Sequence, residues 1–121
     1  MPFPPDVLAE FAAAEEVEIE TRRPDGPPHR TVLWVVVDGE DVFVRSWRGA
    51  TARWYREATQ NPRVILHCRD RRIDARVEPA SDPDSVARAS AGYRRKYAGD
   101  PATPAMIRSE ILSTTLRLSP I

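Results

Sequence analysis

Four arginines crowd the middle of the chain: Arg45, Arg48, Arg53 and Arg56 flank Ser46, Thr51 and Gly49 within one short stretch. Guanidinium forks and hydroxyls are the side-chain donors best matched to phosphate oxygens, and a glycine lets the backbone come close to them. A strand-to-helix turn at this point would add the free N–H groups of a helix start. Arg53 and Arg56, three apart, share one side of such a helix while Trp54 lies on another, so one side holds an anion and the other packs. The same arginines would also suit a solvated basic loop paired with Glu57 and the acidic first strand, and the residue types leave both readings open. Trp54 and Tyr55 are candidate ring-stacking residues because their neighbours are polar, whereas Trp34 and Trp47, in apolar runs, read as core. Arg30 and Thr31, at the head of the most apolar run, are further candidates for contact with a phosphate or a ring carbonyl.

Other chemistry is poorly provided for. His29 and His67 lack ligand spacing, so no metal site is expected. Cys68 is the single cysteine, which excludes an intramolecular disulfide; as a nucleophile it would need His67, but adjacent strand residues face opposite ways, so it reads as a small buried hydrophobe. Arg94-Arg95-Lys96 reads as a solvated helix face at the negative end of the helix dipole. Net charge is zero, yet residues 1 to 21 carry six acids and no basic side chain, while Arg22 to Arg76 holds twelve arginines against seven acids. Anions should prefer the middle; a nucleic acid should not be a partner, since no net positive footprint exists. No apolar run approaches the ~20 residues of a membrane span and the start lacks signal-peptide regions, so the expectation is a cytoplasmic protein with no membrane partner.

The elements that must position these residues follow from pattern. The 121 residues suit one domain, 1–121. Asp6 is expected to cap a short helix bearing Val7, Leu8 and Phe11. Glu16 to Arg23 alternates, with Val17, Ile19 and Thr21 on one face and glutamates on the other. Pro24 to Pro28 is turn chemistry. Thr31 to Val37 reads as one continuous central strand, and Asp38-Gly39 as the hairpin into Val42 to Trp47. Gly49 to Gln60 fits a short helix ended by Asn61-Pro62. Arg63 to Cys68 and Ile73 to Val77 pair across a turn at Arg69-Asp70. Asp82-Pro83 starts a helix with Val86, Ala89, Ser90, Tyr93 and Tyr97 inward and Gly99 beyond its end. Leu112 to Leu118 alternates as a closing strand. The expected class is mainly β (α+β): a six-stranded antiparallel split β-barrel with short helices.

This order of elements resembles the pyridoxamine 5'-phosphate oxidase-like, FMN-binding split barrels. Within them it is most similar to the deazaflavin-dependent reductase branch, in which a Trp-Tyr pair opens a short helix ending at Asn-Pro before an apolar strand. Here these are Trp54-Tyr55, Asn61-Pro62 and Val64-Ile65-Leu66, and the match spans about residues 16 to 79. The resemblance implies FMN or a deazaflavin nucleotide as cofactor, an oxidoreductase acting on a small molecule, and a homodimer with the cofactor at its joint. It implies a cofactor site drawn from Arg30, Thr31, Arg45, Ser46, Arg48, Gly49, Arg53, Trp54 and Tyr55. The chain departs from the family at Arg22 to Pro28, where a Gly-Arg-Lys-Ser-Gly-like turn is usual. It also departs at Glu57, where an Asn is usual and where a carboxylate would repel phosphate unless it points away. A non-catalytic module that binds a small anion or no cofactor is the alternative.

Overall fold

The computed structural model describes all residues, 1–121. In chain order the elements are α1 (Pro5–Ala13), β1 (Val17–Thr21), β2 (His29–Leu33), β3 (Val35–Asp38), β4 (Asp41–Val44), α2 (Arg53–Gln60), β5 (Arg63–Cys68), β6 (Arg71–Pro79), α3 (Pro83–Lys96), α4 (Thr103–Met106) and β7 (Leu116–Pro120). The strands form one seven-stranded sheet in the order β2-β1-β5-β6-β7-β4-β3, antiparallel throughout. Its two edges, β2 and β3, are separated in sequence by Trp34 alone. The sheet therefore curls until one bent segment supplies both borders, which is the half-barrel with a split seam expected from the pattern.

That bend is why seven strands are found where six were expected. Thr31 to Val37 does not run straight: Leu33 pairs with Val17 of β1, whereas Val35 pairs with Val44 of β4. At the break, carbonyls leave the ladder and need other donors. Tyr93 Oη donates to the Trp34 carbonyl at 3.4 Å, and Val35 O accepts from Lys96 Nζ at 2.6 Å and Tyr97 Oη at 3.3 Å. The indole of Trp34 lies flat on Tyr97, with ring centroids 3.9 Å apart and planes 6° from parallel. Helix α3 thus stitches the seam, and Lys96 is part of the stitching, not of a solvated face; of the basic residues in the helix's last turn only Arg94 and Arg95 are exposed. Asp82 caps α3 as expected, accepting from the Ser85 N–H at 3.0 Å.

Inside the curl, Val17, Ile19, Val35, Val44, Leu66, Ala75 and Leu116 pack against Phe11 of α1 and Trp54 and Ala58 of α2. A second cluster joins Val36 and Phe43 to Ala89, Tyr93 and Tyr97 of α3, with Met106 and Ile111 at one end. Gly92 allows this approach, since a Cβ there would sit 3.1 Å from Val36 Cβ. Cys68 is buried as expected. Four further expectations are corrected. Asp6 does not cap α1, whose cap position is Pro4; Asp6 instead pairs with Arg71 at 2.8 Å. Strand β4 stops at Val44, before Trp47, and Ser109–Thr114 forms a 3-10 turn, so the closing strand starts only at Leu116. The helix expected over Gly49 to Gln60 is a 3-10 turn, Gly49–Thr51, followed by α2.

Candidate functional site

The largest hollow, about 440 Å³, opens beside the seam. The edge β2 forms one wall through Thr31, Val32 and Leu33; Trp34 and Trp54 contribute indoles, and Met106 and Ala102 close it from the α4 side. Trp47 and Arg48 stand at the mouth after β4, with Trp47 exposed to 56% and Val32 to 53%. All three tryptophans of the chain line this hollow. Two arginines, Arg45 and Arg48, are the only charged residues of its lining.

Arg45 directly follows β4 and is 1% exposed. Its guanidinium donates through Nε to Thr115 Oγ1 at 2.8 Å, through Nη1 to Met106 O at 3.0 Å and through Nη2 to Val86 O at 2.8 Å. It also lies 5.5 Å from the centre of the Tyr93 ring. It forms no ion pair with any carboxylate, and burial, the main cause, lowers its pKa while Arg94 adds to the local positive charge. A buried cation normally requires compensation. Here carbonyl and hydroxyl oxygens provide partial charge and no counter-ion does. Arg48, in contrast, is exposed and unpaired.

Of the nine residues named from sequence, Thr31, Arg45, Arg48 and Trp54 line the hollow. The others do not. Arg30 lies on the outside of the sheet, 3.6 Å from both Glu18 and Glu20. Ser46 is buried, and its hydroxyl donates to Gly49 O at 2.6 Å, so hydroxyl and glycine tie the turn instead of facing a ligand. Gly49 is needed there for its φ of +79°. Arg53 is exposed on α2, and Tyr55, half buried, packs edge-on to Trp54 at 5.9 Å. The arginines between Arg45 and Arg56 therefore do not converge: Arg45 turns inward, Arg48 borders the mouth, and Arg53 and Arg56 lie exposed. Sequence reading placed Trp34 and Trp47 in the core because each sits beside apolar residues; Trp47 is instead the most exposed aromatic, and Trp34 is half buried. Ala102 and Met106 carry no local signal, since only the return of the chain after α3 brings them across.

Glu57 points away from the hollow, as its compatibility with an anion site requires. Its Oε1 accepts from Thr21 Oγ1 at 2.7 Å and lies 3.3 Å from His29 Nδ1. Its Oε2 is 3.2 Å from the same nitrogen and 3.7 Å from Arg23 Nε, distances of an ion pair without hydrogen-bond geometry. Burial pushes the Glu57 carboxyl up, and the Thr21 hydroxyl and His29 outweigh it, leaving the pKa below the ordinary glutamate value. Glu20 is lowered chiefly by the hydrogen bond with His67 Nε2, 2.9 Å away, against the cost of burial. Each histidine thus has a carboxylate partner, neither lines the hollow, and no cluster of three or more metal-ligating side chains is present.

Curled antiparallel sheet, bent edge segment and flanking hollow together define a split β-barrel fold with a pocket at its seam. The chain belongs to the family described as "Uncharacterized protein conserved in bacteria (DUF2255)", which it matches over residues 7–118. No curated protein sequence matches it. Among solved structures, it is similar to a pyridoxamine 5'-phosphate oxidase-like protein from Listeria innocua, with a TM-score of 0.62 at 15% identity, covering 93% of this chain and 87% of that one. HutZ, the heme storage protein from Vibrio cholerae, gives a TM-score of 0.67 at 16% identity over 100% and 92% of the two chains. A NimC/NimA family protein from Clostridium acetobutylicum gives 0.64 at 15% identity over 93% and 78%. At such identities the likeness is one of fold. No helix is long and apolar enough to cross a membrane.

Proposed function

We propose that the hollow beside the seam binds the ring system of a flavin or deazaflavin nucleotide and that the protein is an oxidoreductase of the split-barrel type. The single observation behind this reading is the lining: three indoles and aliphatic walls with two arginines and no acid. Planar rings gain most from such a site, since aromatic faces stack and apolar walls exclude water. The cofactor itself would supply hydride transfer. The chain's own part would be to hold the ring against Trp34 and Trp47, shield it with Met106, and engage a negative group with Arg48. Ring and walls fit; for a phosphate tail one chain offers Arg48 at the mouth.

Exposed Val32 and Trp47 sit at the same mouth. A second copy covering them would complete the enclosure and make a homodimer, which sedimentation should show as twice the 13.7 kDa chain mass. Titration with FMN, flavin adenine dinucleotide and a deazaflavin nucleotide tests the reading: saturable quenching of tryptophan fluorescence is expected for one of them, and absence of quenching by all three rejects it. A second reading, a non-catalytic module, is favoured by two observations: Ser46 and Gly49 satisfy each other, and the lining holds no His, Cys, Asp or Glu.

A further inference from the structure

We infer that the hollow selects planar aromatic ligands whose negative charge lies on or beside the ring, as in an aromatic carboxylate or sulfonate, over neutral rings of the same shape. The inference rests on the hollow being the binding site and says what kind of molecule it takes. Two observations carry it. Arg45 is a fully buried guanidinium in the wall with no carboxylate partner, held by Thr115, Met106 O and Val86 O beside the Tyr93 ring. Arg48 at the mouth is a second cation without a partner, and the lining contains no acid to offset either.

A cation in a low-dielectric wall acts on a ligand more strongly than one in water, because little solvent screens it. Arg45 has its geometry fixed by its three acceptors and needs no rearrangement when a charge arrives. Arg48 is free to swing and can donate two parallel N–H groups to a carboxylate or sulfonate. The apolar walls disfavour a small hydrated anion on its own, so the charge is best taken when it is carried by a ring that fills the hollow.

A matched pair of dyes tests this on the intact chain: 8-anilino-1-naphthalenesulfonate and N-phenyl-1-naphthylamine share one ring skeleton and differ by the sulfonate. Energy transfer from Trp34, Trp47 and Trp54 reports binding to the chain, and a variant that fills the hollow locates it. The sulfonate should bind at least about tenfold more tightly at low salt, the order expected of one charge-assisted hydrogen bond. Arg48→Gln should remove most of that difference, and Ala102→Trp, which fills the hollow from the α4 side, should weaken both dyes. Equal affinities in the wild type, a difference unaltered by Arg48→Gln, or binding indifferent to Ala102→Trp would each overturn the inference. A chain that prefers the sulfonate but ignores every flavin would sustain the anion-selective hollow and reject the redox reading; flavin binding with equal dye affinities would do the reverse.

Discussion

The arginines on the two sides of β1 and β2 have different fates. On the outer face and along α2, acids meet them: Arg22 pairs with Glu20 at 3.1 Å, Arg30 with Glu18 and Glu20, and Arg23 approaches Glu57. The histidines join the same networks. At the hollow, Arg45 and Arg48 have no such partners. The acid-rich first strand therefore neutralises one part of the basic middle and leaves other arginines uncompensated; of these, Arg45 and Arg48 adjoin the tryptophans. A charge count along the sequence sees only the excess; the fold decides where it remains.

Removing the internal cation should have the largest effect. Arg45→Ala leaves a cavity and strands Thr115 Oγ1, Met106 O and Val86 O, with an expected loss of about 3–5 kcal/mol in urea unfolding. Those acceptors lie in α3 (Val86), in the short α4 (Met106) and just before β7 (Thr115); α4, the shortest of these elements, should loosen first, as faster amide exchange around Met106. A loss below about 1 kcal/mol would show that Arg45 is not a structural cation, by the usual cost of an unmet buried group.

The neutralised side predicts a smaller effect with a definite pH dependence. Glu57→Gln keeps an acceptor for Thr21 but loses the charge facing His29 and Arg23, at about 1–2 kcal/mol near neutrality. The folded Glu57 carboxyl titrates below its ordinary value, so its stabilisation is complete above the unfolded pKa of about 4.5 and disappears as pH falls through the folded one. The gap between wild type and Glu57→Gln should hence close on acidification. A gap that is constant from neutral pH into acid would assign the glutamate's role to shape.

How much of this was readable beforehand divides by the range of the forces involved. Period-two alternation marked β1 and β6, and Asp82-Pro83 marked α3, because each signal lies within a few residues. The bend at Trp34 was invisible: Thr31 to Val37 is uniformly β-forming, and what breaks it is Tyr93, Lys96 and Tyr97, some sixty residues onward. The site suffered likewise. Arg45 and Arg48 were marked by type, but their separation from Arg53 and Arg56 depends on Gly49 and Ser46 closing a turn on themselves. Glu20 was expected to face water, yet it is buried among Arg22, Arg30 and His67, whose approach is a matter of strand register.

Lys96 sharpens the comparison because it is a second internal cation held by carbonyls, Phe11 O at 2.9 Å and Val35 O at 2.6 Å. Burial lowers its pKa to about 8, against an ordinary 10.5. Between those values the unfolded chain binds more protons, so stability should rise with pH as the folded amine gives up its charge. Above about pH 10, ionisation of unfolded tyrosines opposes the trend, since Tyr93 and Tyr97 are both raised by burial. Relative to Lys96→Met, the wild type should therefore gain stability from pH 8 to 10, measured as the urea midpoint; a parallel pair of curves would place the ammonium in water.

The smallest effect on stability should come with the most selective effect on binding. Arg30→Ala and Arg48→Ala each remove an exposed arginine, and exposed pairs such as Arg30 with Glu18 contribute only about 0–1 kcal/mol, so neither should shift unfolding much. Their positions differ where it counts. Arg30 is on the outer face against glutamates, and its loss should leave flavin or aromatic-anion affinity unchanged. Arg48 borders the tryptophan-lined mouth without a partner, and its loss should weaken the same affinity by about 1.5–3 kcal/mol, the range of a hydrogen bond to a charged group. Equal losses in the two variants would mean that the ligand senses the general field of the basic middle; a loss confined to Arg48→Ala would mean that it touches this one guanidinium.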